Sequence, residues 1–137
     1  MISGILLRVI NTFLNRLPNS DRLTIGYSKE EEIYPQILVE NIQINSNQTK
    51  LGLGVYEGTF SIIVVDQSLS PLKTIEIARD VFGLLNNNRD LYTEAVALDL
   101  KIHSLRLESE TLEFIRSLEN SFFVNTLDYK VVASLCN

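Results

Sequence analysis

The stretch VYEGTFSIIVVD, Val55–Asp66, alternates in character along its whole length. Tyr56, Gly58, Phe60, Ile62 and Val64 fall on one side, and Val55, Glu57, Thr59, Ser61, Ile63 and Val65 on the other. A repeat of two is that of a β-strand, whose successive side chains point to opposite faces. Upstream, after Tyr34–Pro35, the same period appears. Leu38, Glu40, Ile42 and Ile44 alternate with Val39, Asn41 and Gln43, and Pro35 fits among a strand's first residues. The polar turn Asn45–Ser46–Asn47–Gln48, with Gly52 and Gly54 on the return, predicts that the two strands form a long antiparallel hairpin. Leu51–Gly52–Leu53–Gly54 lacks a third glycine and precedes a strand rather than a helix, so it is no dinucleotide-binding loop.

Downstream, Ser70–Pro71 predicts a helix start, with Ser as N-cap and Pro at the first helical position. Leu72, Ile75, Ala78, Phe82 and Leu85 then give an apolar stripe, and Asn86–Asn87–Asn88 a C-terminal stop. After Tyr92 alternation resumes. Val96, Leu98, Leu100 and Ile102 oppose Ala97, Asp99, Lys101 and His103, and Leu105 and Leu107 break the phase, which predicts a bulge. Leu112–Leu118 fits a strand or a short helix. A last strand carries Phe123, Leu127, Tyr129, Val131, Ala133 and Leu135 on one face, with Asp128, Lys130 and Ser134 opposite.

At the other end, Ile2, Ile5, Leu6, Val9, Ile10, Phe13, Leu14 and Leu17 recur at helical spacing before Pro18. Arg8 and Arg16 are too few for a membrane-surface helix, and core packing is the expected role. Residues 24–33 read as a connection in which Glu30, Glu31 and Glu32 are a solvated charge run. The expected order is helix, strand, strand, helix, strand, strand. It predicts an α+β two-layer sandwich: a mostly antiparallel sheet of about four strands with two helices on one face. No linker or repeat divides the 137 residues, so a single domain over 1–137 is expected.

Composition narrows the function. A net charge of −5 opposes groove-reading nucleic-acid recognition, though not passage of DNA through a wide channel made by several copies. Arg8, Asn11, Asn15 and Arg16 interrupt the first apolar stretch, no small-residue cleavage site follows, and no run approaches the roughly 18 apolar residues a membrane span needs. A soluble protein inside a cell is expected. The single histidine, His103, sits on the polar side of its strand beside Asp99 and Lys101, which restricts histidine-based metal and proton-relay chemistry. The single cysteine, Cys136, is next to the C-terminus, a poor place for a rigidly held nucleophile. Glu40, Glu57, Asp66 and Asp99 lie in strand regions, but no spacing brings a pair of them together. Asp66–Gln67–Ser68–Leu69–Ser70 occupies a binding-loop position that a capped connection explains equally well. The expectation is a protein without catalysis, metal or cofactor.

The second face of the sheet is half apolar. Thr59, Ser61, Ile63, Val65, Lys130 and Val132 lie on it, and a protein–protein contact explains such a mixture. With that face in view, the order of elements resembles the tail-terminator (tail-completion, minor tail) proteins of bacteriophages and prophages. The resemblance rests on the N-terminal helix, the Tyr34–Pro35 opening, the strand Val55–Asp66 and the helix Pro71–Leu85 with its Ile75–Arg79 stretch. It rests also on the late strand Phe123–Leu135, with Leu127–Asp128–Tyr129 as a hydrophobic-Asp-aromatic ending. It implies a homohexameric ring in the virion tail, assembled in the host cytoplasm. Such a ring caps the tail tube and joins the tail-tube protein to the head-connector protein by non-covalent contacts alone. The six residues of the second face are then interface candidates. The alternative is a small adaptor or ligand-binding module, with a pocket between helices and sheet lined by Phe60, Phe82 and Tyr129.

Overall fold

A computed structural model describes residues 2–17, 24–25, 34–46, 54–86, 88–116 and 120–135. In chain order these form α1 (Ile2–Leu14), β1 (Thr24–Ile25), β2 (Gln36–Ser46), β3 (Val55–Asp66), α2 (Leu72–Leu85), α3 (Arg89–Ala97), β4 (Leu100–Arg116) and β5 (Ser121–Leu135). The sheet order is β1-β2-β3-β5-β4. Four antiparallel strands make the body, and two-residue β1 adds a short parallel pairing to Gln36 and Ile37. The α+β expectation holds, with a third helix added to the two expected.

β3 and β5 form the central ladder, from Val55 opposite Ser134 to Asp66 opposite Phe123. Their helix-facing residues are those the alternation assigns: Phe60, Ile62, Val64, Leu127, Tyr129, Val131 and Ala133 are all buried. α1 supplies the largest helical share of the core, burying Ile2, Leu6, Val9, Ile10, Phe13 and Leu14. Removing a side chain of that size from water stabilises by roughly 1.5–3 kcal/mol, so this one stripe anchors the helix layer. Its last turn tightens, with Arg16 N donating to Phe13 O at 2.9 Å. The Arg16 guanidinium lies 4.1 Å from the Phe13 ring centroid and pairs with Glu94 of α3, joining two helices at the surface.

Three register shifts correct the strand phases. In β2, Glu40 pairs with Ser61 and Gln43 with Thr59, so β2 holds one residue more than β3 over that interval. Asn41 absorbs the extra step at φ 57. Ile37 and Val39 therefore share the core face with Ile42 and Ile44, and Leu38 turns to the opposite face with Glu40. Pure alternation had grouped Leu38 with Ile42 and Ile44, and no such grouping survives an inserted residue. In β4 the pairing shifts between Ile102 and Ser104, and again between Leu107 and Ser109. The first shift is the phase break seen at Leu105, which is buried as a result. β4 then runs on to Arg116, so the described part of the ambiguous 112–118 segment is strand.

Two helical expectations change. The residues from Arg89 to Ala97 are helix, not the start of a strand. Asn86 caps the end of α2 as the asparagine run predicts, and Asn88 serves both helices: its Nδ2 donates to Leu84 O at 2.7 Å, while its Oδ1 accepts from Asp90 N at 3.0 Å and Leu91 N at 3.4 Å. Only Leu91 and Ala95 of α3 are buried, an i, i+4 pair too short to stand out against the alternation that follows. A turn at Leu98–Asp99, with Asp99 at φ 67, starts β4. In α2 the buried residues are Thr74, Ile77, Ala78, Val81 and Leu85, while Leu72, Ile75 and Phe82 of the expected stripe are exposed. α2 is apolar around more than half its girth, so its sequence offers two competing faces, and packing on β3 and β5 selects the one centred on Ile77 and Val81. Its start is shifted by one residue: Pro71, expected as the first helical residue, is the N-cap, and Ser70 just before it accepts from Leu72 N through its Oγ at 3.3 Å. Cys136, the Glu30–Glu32 run and Leu51–Leu53 lie outside the described residues.

Candidate interaction surfaces

Among the described residues all three helices pack on one face of the sheet and none covers the other face. Pair registers set that bare face row by row. Glu57 lies opposite Val132, Thr59 opposite Lys130, Ser61 opposite Asp128, Ile63 opposite Thr126 and Val65 opposite Val124. The six residues picked from the sequence thus share one surface. They are not equally available: Thr59 is exposed, Ile63, Val65, Lys130 and Val132 are half-buried, and Ser61 is buried. Ser61 is occupied as well. Its Oγ donates to Asp128 Oδ1 at 2.6 Å, while Ser109 Oγ donates to Asp128 Oδ2 at 2.9 Å. One carboxylate therefore ties three adjacent strands into a polar row, with Lys130 and Thr59 beside it. At the far end Tyr34 meets Phe122 with ring centroids 5.3 Å apart.

A second surface lies where α2 stops short of β4. Ile75, Ala78, Arg79 and Phe82 of α2 and Leu107 and Glu110 of β4 line a shallow open groove. Beyond it Leu112 and Phe114 stand 43 % and 50 % exposed on the outermost strand, and Ile115, 47 % exposed, lies on the bare face. Phe114 leans on Phe123 of β5, centroids 4.8 Å apart. Large apolar side chains clustered beside a free strand edge mark a contact surface more strongly than scattered ones.

No protein-family model matches the sequence, and no curated protein does. Solved structures do match. A chain of a structure described as the virion of a native gene transfer agent (GTA) particle superposes with a TM-score of 0.74, covering 97 % of both chains at 10 % identity. The likeness is one of fold. It extends end to end, so no large insertion or missing element separates the two chains.

The residues weighed for chemistry are dispersed. Glu40 and Glu57 project from the bare face, and Asp66 sits on the helix side at the end of β3. Asp99 occupies the turn before β4. His103 is exposed, with Nε2 2.9 Å from Ser134 Oγ. Among the described residues no three of His, Cys, Asp and Glu converge as a metal would require, and no helix is long and apolar enough to cross a membrane. The Asp66–Ser70 segment is a connection held by its own turn and by the residue before β5: Ser70 N donates to Ser68 Oγ at 3.0 Å, and Gln67 Nε2 donates to Asn120 Oδ1 at 2.5 Å.

The pocket imagined between Phe60, Phe82 and Tyr129 is not formed. Phe60 and Tyr129 stack in the core, whereas Phe82 is 39 % exposed at the α2–β4 groove. The turn of α2 towards Ile77 and Val81 separates them. What sequence reasoning missed is the β4 edge. The period-two run Glu110, Leu112, Phe114, Arg116 marks a strand there, obscured because two bulges upstream reset the phase, but its place at the sheet edge comes from the strand order.

Proposed function

We propose that this chain is a structural protein of a bacteriophage or phage-like virion, a single domain over residues 1–137 that works by assembly and not by catalysis. The end-to-end fold likeness to a chain of a gene transfer agent virion carries this reading. The finer reading is a tail terminator: copies joined head to tail in a ring that caps the tail tube and receives the head connector. A head-to-tail contact brings different surfaces of neighbouring copies together and closes when the rotation permits. The bare face around Thr59, Ser61, Ile63, Val65, Lys130 and Val132 is the surface assigned to it, with its mixed apolar and polar rows. Thr59 and Lys130 are the strand-paired centre of that surface and reach solvent without supporting the core.

The test is assembly of the purified chain and its bare-face variants, followed by light scattering and by electron microscopy of stained particles. Rings are expected for the wild type. Thr59→Arg and Lys130→Glu are expected to lower the assembled mass while leaving the circular dichroism spectrum unchanged. Rings that persist in both variants would remove the bare face from the contact.

A further inference from the structure

We propose that β4 pairs antiparallel with β4 of a second copy of this chain, about a two-fold axis at Glu113. The proposal rests on the edge strand alone and stands apart from the ring reading, which uses a different surface.

Among the described residues nothing covers the edge: β4 is paired only by β5, and every residue from Glu108 to Arg116 is exposed. Proteins blunt free edges with proline, charged side chains (lysine above all), bulges or a covering element, because unpaired N–H and C=O groups recruit another strand. From Ser109 to Arg116 there is no proline, no lysine and no register shift, and the charges are Glu110, Glu113 and Arg116 alone. The neighbouring helix turns apolar Ile75 and Phe82 towards this edge without covering it.

The occupant is indicated by the order of side chains. On the helix side the strand presents Glu110, Leu112, Phe114 and Arg116, whose partners on β5 are Leu127, Asn125, Phe123 and Ser121. Run against its own reverse about Glu113, this series is self-complementary. Glu110 faces Arg116 of the second copy, Leu112 faces Phe114, and symmetry repeats each pair. Opposite charges and apolar pairs directly across an antiparallel ladder are the favourable cases. Moving the axis to Leu112 sets Phe114 against Glu110, and moving it to Phe114 sets Leu112 against Arg116. Only the Glu113 axis satisfies charge and apolar matching together.

The two-fold axis is normal to the sheet, so both helix layers stay on one side. Ile75 and Phe82 of each copy then border a seam floored by Leu112 and Phe114. On the bare face Thr111 meets Ile115, and Glu113 meets its own copy. That last like-charge pair opposes association and makes the contact reversible.

Sedimentation equilibrium of the full chain over a dilution series tests this. Glu110→Arg and Arg116→Glu each place two like pairs across the seam and are expected to weaken the dimer about tenfold or more. The double variant, with the charges exchanged, is expected to recover the wild-type affinity. Glu113→Gln is expected to tighten it. In a Cys136→Ser background, Glu113→Cys is expected to give a disulfide-linked dimer on mild oxidation, since facing Cα atoms in an antiparallel pair are ~4.5–5.5 Å apart. Where the wild type assembles beyond two copies, the single reversals are expected to lower the mass. A chain monomeric throughout would leave the edge to a strand of another protein and overturn the pairing. Single reversals without effect, a double variant no tighter than the singles, or no Glu113→Cys dimer would overturn it equally.

Discussion

Phe60 and Tyr129 face each other across the β3–β5 ladder with centroids 5.3 Å apart and planes 8° from parallel, yet the Tyr129 hydroxyl is buried without a hydrogen-bond partner among the described residues. The ring therefore contributes as an aromatic while its oxygen has lost water and gained nothing. Burial holds the phenol in its neutral form well above its ordinary titration range, and Glu110 adds to the effect.

Tyr129→Phe keeps the stack and removes the unpaired oxygen. It is expected to leave stability unchanged or raise it by about 1 kcal/mol in urea unfolding, because a buried polar group with no partner carries its full desolvation cost. Tyr129→Ala removes the ring and is expected to lower stability by about 3–5 kcal/mol. A Phe variant clearly weaker than the wild type would mean that the hydroxyl has a partner.

Asp66 gives a pH-dependent prediction. Burial raises its pKa above the ordinary 3.8, against smaller downward pulls from Lys73 and the Gln67 N–H. The folded chain thus holds this proton more tightly than the unfolded chain. At this site stability rises as pH falls through the folded pKa, and at neutral pH the ionised carboxylate is a cost. Asp66→Asn removes both effects. Wild type minus Asp66→Asn stability, followed by thermal unfolding from neutral pH downward, is expected to be negative at neutral pH and to climb as acid is added. A flat difference would contradict the burial argument.

Gly58 is fixed by the β2 bulge. A Cβ at that position would collide with Ile44 Cδ1 and sit 2.8 Å from the backbone oxygen of Gln43. The side-chain tip can move, but the backbone oxygen of a paired strand cannot move cheaply. Gly58→Ala is expected to destabilise by about 1–3 kcal/mol, as overpacked sites do. An unfolding midpoint equal to the wild type would show that the two strands can separate without loss.

The orientation of α2 is tested by paired substitutions on its two apolar faces. Ile77 is 8 % exposed and Ile75 is 42 % exposed. Ile77→Ala is expected to cost about 2–5 kcal/mol and Ile75→Ala within about 0.5 kcal/mol in the dissociated monomer. The reverse order would restore the stripe suggested by Leu72, Ile75 and Phe82.

These two isoleucines show where sequence reading works and where it stops. α1, β3 and β5 were legible because each keeps one unbroken period over many residues, leaving one way to bury its apolar side. β2 and β4 were not fully legible, since a bulge resets a period of two and only the partner strand reveals the extra residue. α2 has apolar residues on both candidate faces, and the choice is made by the sheet it meets. α3 offers just Leu91 and Ala95 to the core. The bare face could be assigned from alternation in β3 and β5. The β4 edge could not, because which strand ends a sheet is decided by topology, and no local pattern carries that information.

Assembly is the central claim, and solution mass tests it most directly. The measurement is light scattering on the Glu110→Arg chain, in which the β4 pairing is weakened, so that a mass above two copies reports the head-to-tail contact. The ring reading expects six copies of the 15.5 kDa chain, about 93 kDa, with a mass that holds on moderate dilution. A mass of one chain at every concentration would contradict a ring built by this protein alone.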